Sequence, residues 1–194
     1  MAEGQWRGRG LRLAPLDFVS RGHVAISSAN LPGGPVTLVS AYGLMEFDYA
    51  SGTLLRTLAD LEPLLDDPIL GANVLIAGDW NVGSWWGAQD AKYSRREAAV
   101  LELLTAYGFV DCLERFLPRE RGRPDRCSCP SGDRCRHVWT YKKAEDDRPY
   151  QDDYAYATDA LVSRLSGAAA VAEGWAWDPE LSDHAPLVLD LDAT

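Results

Sequence analysis

Two short apolar runs meet polar motifs, and this constrains the chain more than any other feature. Val74-Leu75-Ile76-Ala77 leads into Gly78-Asp79-Trp80-Asn81, and Ser182-Asp183-His184 leads into Ala185-Pro186-Leu187-Val188-Leu189. Apolar runs of this length, bounded by turn-forming residues, read as buried strands. Both motifs therefore stand at strand ends, where they place two aspartates, an asparagine and one of only three histidines. Those side chains suit attack on a phosphate. A carboxylate and an imidazole can orient or deprotonate water, an amide can hold a phosphate oxygen, and a divalent cation can offset developing charge. Taken singly, each motif is equally an ordinary turn, because Gly, Asp and Asn all favour turns. Their pairing, in this order, points to chemistry.

The rest of the pattern alternates strands and helices. His23 to Ser28 and Val36 to Ala41 read as adjacent strands separated by the turn signal Pro32-Gly33-Gly34-Pro35. Thr53 to Leu65 reads as a helix with Leu54, Leu58, Leu61 and Leu65 on one face and Ser51 able to cap it. Asn73 to Ala77 is a buried strand. Ser94 and Glu97 form a capping box for a helix whose apolar face is Val100, Leu101, Leu104 and Tyr107, closed by Gly108. Phe109 to Cys112 reads as a short extended piece. His137 to Tyr141, Asp153 to Ala157 and Ala185 to Leu191 read as strands. Helices on a mixed or largely antiparallel sheet place the chain in the α/β class.

Two further motifs complete a set. Ser40-Ala41-Tyr42 follows a strand, and Asp152-Asp153-Tyr154-Ala155-Tyr156-Ala157 opens one. With Gly78-Asp79-Trp80-Asn81 and Ser182-Asp183-His184-Ala185-Pro186-Leu187, they make the chain, from about Gly22 to its end, resemble the endonuclease/exonuclease/phosphatase superfamily. These are the DNase I-like metal-dependent phosphodiesterases. The resemblance implies a sandwich of two sheets with helices outside and a requirement for Mg²⁺ or Mn²⁺. It also implies that Asp79 and Asn81 act on the nucleophilic water and the phosphate. By the same resemblance Asp153 pairs with His184, Tyr42 approaches the phosphate, and Asp183 lies near the metal or the water. A DNA-directed endo- or exonuclease is the function it favours. A phosphatase acting on a small phosphoester and a catalytically inactive interaction module are the alternatives.

The match covers the C-terminal two-thirds of such a domain. The resemblance places a strand bearing Asn and a strand bearing a metal-binding Glu upstream, but the chain opens Met1-Ala2-Glu3-Gly4-Gln5-Trp6-Arg7-Gly8-Arg9-Gly10, with no apolar strand ending in Asn. A misassigned start, a separate chain supplying the strands, or an inactive truncated relative are the three readings. Glu46 and Asp48 are nearby carboxylates that could substitute as metal ligands, although loop carboxylates are usually only solvated. Missing strands would leave an apolar face and an open edge, hence self-association or a partner chain.

At 194 residues the chain is expected to form one domain spanning 1–194. No apolar stretch approaches the ~20 residues needed to span a bilayer. The N-terminus lacks the apolar segment of a secretory signal, so no membrane association and cytoplasmic residence are the default expectations. The net charge of -10 is unevenly spread. Between Arg115 and Lys143 nine basic residues face three acidic ones, giving +6 there and -16 elsewhere. That basic segment reads as a contact for a phosphate backbone or as a solvated Arg-rich loop.

The loop at about 115–143 also holds Cys127, Cys129, Cys135 and His137 in the pattern C-x-C-x5-C-x-H. Three thiolates and an imidazole are an accepted donor set for tetrahedral Zn²⁺, and such a metal would order a loop too polar to have its own core. The alternatives are inert thiols or a disulfide such as Cys127–Cys135. Cys112, amid apolar neighbours, reads as a small buried hydrophobe. Trp80, Trp85 and Trp86 could stack on a base or pack beneath their loop. Trp139-Thr140-Tyr141 resembles the strand that precedes the Asp-Tyr motif in this superfamily. His23 reads as an ordinary strand residue.

Overall fold

Two alternating strands begin the sheet. In the computed structural model, which describes residues 22–47, 49–83, 91–118, 127, 129, 134–142, 149–171 and 181–192, β1 (Val24–Leu31) and β2 (Gly34–Ala41) form an antiparallel hairpin. Gly33 and Gly34 take the positive φ values (+83° and +113°) that the tight reversal needs. Along β2, Thr37, Val39 and Ala41 point to one face, where they are buried.

That face is covered by helices. Helix α1 (Ser51–Leu65) presents Leu54, Leu58, Leu61 and Leu64 to it, and α2 (Ala91–Ala106) adds Val100 and Leu104. Helix α1 starts two residues earlier than the sequence predicts, with Ala50 as its N-cap and no side-chain cap. Ser51 is buried within the helix, and the Thr53 hydroxyl donates to the Ala50 and Leu44 carbonyls instead. The predicted capping box on α2 also fails. The helix begins at Ala91, so Ser94 is internal, and the Glu97 carboxylate accepts from the Gly83 N–H at 3.1 Å.

Strand β3 (Val74–Asp79) lies parallel to β2, and β7 (Asp153–Thr158) lies antiparallel to β3. With β4 (Phe109–Asp111) the order is β1-β2-β3-β7-β4, a mixed five-stranded sheet. Cys112 is not on the strand as predicted but opens α3 (Cys112–Phe116), whose N-cap Asp111 accepts from the Glu114 N–H. It is fully buried, as a small hydrophobe would be.

A two-stranded antiparallel sheet, β8 (Leu165–Ala170) with β9 (Leu187–Leu191), covers the opposite face. There Ala168, Leu187 and Leu189 pack against Val36, Ala155, Ala157 and Leu161, the last from α4 (Asp159–Val162). The sandwich with outer helices is thus present. Among the described residues it is incomplete over β1 and β2, where Ala25, Ser27, Leu38 and Ser40 are exposed, and β1 is an edge strand. Among the described residues no helix is long and apolar enough to cross a membrane.

Two short strands, β5 (Tyr141–Lys142) and β6 (Pro149–Tyr150), pair with each other beside the open end of β7. The strand predicted over His137 to Tyr141 is confined to its last residue. Upstream of it, side chains replace ladder partners. The Val138 N–H donates to the buried Gln151 side chain, and the Thr140 hydroxyl accepts from two backbone amides.

Leu61 is fully buried between α1 and the sheet, so Leu61→Ala should lower unfolding free energy by about 2–5 kcal/mol through lost contact and an unfilled cavity. Urea denaturation should show a lower midpoint at unchanged slope, and an unchanged midpoint would mean that α1 does not pack on this face.

Candidate active site

Pairing between β3 and β7 sets the centre of the site. The last residue of β3, Asp79, is the register partner of the first residue of β7, Asp153. Directly opposed residues in an antiparallel pair hold their Cβ atoms about 4.5–5.5 Å apart, so the sheet itself juxtaposes these carboxylates. Beyond the pair the chains stay joined, because the Trp80 N–H donates to the Asp152 carbonyl at 2.8 Å.

Gly78 carries the sharp turn into the motif. Its φ is +147°, and a Cβ there would run into the Ala41 carbonyl oxygen. Gly43 sits as closely against the Trp80 backbone and donates its N–H to the Asp79 carbonyl at 2.8 Å. The ends of β2 and β3 therefore interlock without room for side chains. Asn81 takes a left-handed conformation (φ 48°), which Asn tolerates better than most residues. Its backbone N–H donates to Asp79 Oδ1 at 3.0 Å. Its side-chain amide donates to Asp79 Oδ2 at 3.3 Å and to the Gly43 carbonyl at 3.1 Å. Both Asp79 oxygens are thus oriented by Asn81.

His184 arrives from the other side. The segment before β9 docks on β5: Lys142 N–H donates to the Asp183 carbonyl, Ala185 N–H donates to the Thr140 carbonyl, and Tyr141 forms a β-bridge with His184. The Tyr141 and His184 rings are 4.7 Å apart. This docking brings His184 Nδ1 to 2.8 Å from Asp153 Oδ2, with Nε2 4.0 Å from Asp183 Oδ1. Thr140, fully buried, accepts from the N–H groups of both Asp152 and Asp153, which fixes the start of β7.

Asp79, Asn81, Asp153, Asp183 and His184 therefore meet at one place, as the sequence predicts. Tyr42 follows β2 directly, is 45% exposed, and has its ring 6.1 Å from that of His23. Trp80 is 1% exposed and stacks on Tyr154 and Tyr156, so it is a core residue and not a platform for a base. Trp85, Trp86 and Asp48 lie outside the described residues. Glu46 is paired with Arg56 at 2.6 Å, beside a cleft lined by Phe47, Tyr49 and Arg96.

One more carboxylate lies beside this group. Asp152 is buried, and its Oδ1 has no hydrogen-bond partner. Burial, with the charges of Asp79 and Asp153, raises its pKa to about 7. The only sequence signal was the doubled aspartate before Tyr154, of which one was assigned. Burial and Asp153 likewise hold the Asp79 carboxyl above the usual carboxylate range. The hydrogen bond that His184 Nδ1 donates to Asp153, outweighing burial, lifts His184 to about 9. The site thus gathers partly desolvated carboxylates around an imidazole held by Asp153.

The cysteine cluster forms a second, separate centre. Cys127, Cys129, Cys135 and His137 place one donor atom each within 4.8 Å of one another. The four cysteines are free thiols in the structure, and this donor set could hold a metal ion. Trp139 packs against the three cysteines. Of the basic segment, Arg136 donates to the carbonyls of Glu114, Leu117 and Pro118, closing α3. Arg119, Arg121, Arg123, Arg126 and Lys143 lie outside the described residues.

No protein-family model matches the sequence, and no curated protein matches it. Solved structures do. An AP endonuclease from Archaeoglobus fulgidus matches at 20% identity and TM-score 0.56, covering 86% of this chain and 65% of its own. The 3'-5' exonuclease NExo from Neisseria meningitidis matches at 16% identity and TM-score 0.60, covering 86% and 64%. The endonuclease domain of the retrotransposon TRAS1 matches at 17% identity and TM-score 0.54, covering 87% and 63%. The chain thus has the DNase I-like fold and spans slightly under two thirds of the length of these structures.

The dyad yields a direct test. In metal-free protein the His184 imidazole should titrate by NMR with a midpoint near 9, and in Asp153→Asn the midpoint should fall toward 6.5. Because the folded pKa is raised, the associated stability is complete below pH 6.5 and is lost as pH rises through about 9. A midpoint unchanged by Asp153→Asn would show that the carboxylate does not hold the ring.

Proposed function

We propose that this protein is a divalent-metal-dependent phosphodiesterase acting on DNA, with Mg²⁺ or Mn²⁺ as its cation. The observation that carries the reading is the meeting of Asp79, Asn81, Asp153, Asp183 and His184 at one end of the β3–β7 pair. The fold, shared with nucleases, supports it.

The donor chemistry fits a hard cation. Oxygen ligands are what Mg²⁺ and Mn²⁺ select, and Asp152 offers a buried oxygen without a partner beside two further carboxylates. Asp152 and Asp183 would each offer the ion an oxygen. When bound, it would neutralise charge building on the phosphate.

The chain's own residues do the rest. Asp79, its carboxylate aimed by Asn81, orients the attacking water and takes its proton. Asn81, through its amide, meets a phosphate oxygen once substrate displaces its bond to the Gly43 carbonyl. His184, held as the cation by Asp153, presents Nε2–H to the phosphate, where positive charge is worth most as negative charge accumulates. Tyr42, exposed next to this end of the sheet, borders the path of the substrate.

A second reading, a phosphatase, has one observation in its favour. NExo is also described as a 3' phosphatase with a product DNA hairpin bound, and this chain matches that structure at TM-score 0.62 and 16% identity.

The test is single-turnover cleavage of end-labelled DNA duplexes, with and without a 3'-phosphate, in Mg²⁺ and in EDTA. Mg²⁺-dependent cleavage is expected, and Asp79→Ala and His184→Ala should each lower its rate by about 10²–10⁴-fold with the fold intact. Cleavage that survives EDTA or persists in both variants would overturn the assignment. Release of phosphate alone would favour the second reading.

A further inference from the structure

We propose that Cys127, Cys129, Cys135 and His137 form a closed structural zinc site, and that this site fixes the segment which positions the Asp153–His184 pair. The site is independent of the nuclease reading.

The geometry comes first. Cys127 Sγ lies 3.4 Å from Cys135 Sγ and 3.4 Å from His137 Nδ1, and all four donors fall within a 4.8 Å span. Ligands on tetrahedral zinc, with Zn–S near 2.3 Å and Zn–N near 2.0–2.1 Å, stand roughly 3.5–3.8 Å from one another. A disulfide would need about 2.05 Å between sulfurs. The set is three thiols and an imidazole, which are soft to borderline donors. It therefore selects zinc over the hard cations that suit the aspartate nest.

The surroundings agree. All three cysteines are buried, yet the small core they form contains only themselves and the packed face of Trp139 among the described residues. Such a cluster offers little apolar area to order its own backbone, and a four-coordinate metal supplies the missing cross-link. With every coordination position filled by protein, no place is left for water or substrate, so the role is structural.

The chain then runs from metal to active site within a few residues. His137 is followed by Val138, whose N–H donates to Gln151, and by Thr140, which accepts from Asp152 and Asp153 N–H at 3.1 and 2.9 Å. Thr140 also binds Tyr150 and Ala185 through its backbone. One end of this strap is pinned by the metal and the other by the dyad's own backbone. Releasing the metal end frees the strap to pull away from β7.

The experiment uses the full 194-residue chain expressed without added chelator. Elemental analysis should find about one zinc per chain, with Cys127, Cys129 and Cys135 unreactive until the metal is removed or the protein is denatured. Replacing zinc by Co²⁺ should give the visible absorption of a tetrahedral thiolate site, which also serves if Cys127→Ser or Cys135→Ser fails to fold. Removing zinc should then speed hydrogen exchange at the Asp152 and Asp153 amides, and adding Zn²⁺ back should restore protection. Protein that carries no zinc as purified, with Cys127, Cys129 and Cys135 freely reactive, or a mass showing a disulfide, would overturn the site. Stoichiometric zinc whose removal leaves those two amides equally protected would overturn the link to the dyad.

Discussion

Everything at the site hangs on the antiparallel register of β3 against β7. That register ends with two aspartates opposed, an arrangement that is unfavourable for isolated strands because like charges face each other. The fold holds it from behind and from above. Behind it, Trp80 stacks on Tyr154 and Tyr156, so a slip by one residue would turn these rings out of the core. Above it, Thr140 takes both amides at the start of β7. The carboxylates are close because packing elsewhere leaves them no alternative.

The loops that frame this centre are closely packed for a related reason. Gly43 and Gly78 let backbone touch backbone between the ends of β2, β3 and the Trp80 turn. At both glycines a side chain would collide with the facing backbone. Asn81 then converts a backbone turn into an orienting device for Asp79. Preorganisation of this kind lowers the reorganisation needed in a transition state.

How much of this was legible depended on whether a residue's role is local. Strands with β-branched or alternating patterns, such as Val74 to Ala77, announced themselves, as did the leucine face of α1. The motif residues were legible as a set because their order along the chain carried the resemblance. Strand β8 was not, since Leu165-Ser166-Gly167-Ala168-Ala169-Ala170 has the composition of a loop or helix and becomes a strand only by pairing with β9. Helix starts shifted because tertiary partners replaced the predicted caps. Thr53 found the Leu44 carbonyl, and Glu97 found Gly83. Asp152 escaped notice because its importance lies in what it lacks, a hydrogen-bond partner, and no local pattern encodes that.

That lone oxygen has a consequence for how the protein can change over time. A carboxylate whose pKa rises on folding opposes the folded state increasingly as pH climbs from 3.8, and fully above about 7. Asp152 thus weakens the molecule at neutral pH whenever no cation sits beside it. Replacement by Asn would relieve that tension and is among the easiest routes to a sturdier protein. Drift toward stability and retention of cation chemistry therefore pull this single position in opposite directions, and which residue it keeps records which pressure the lineage has felt.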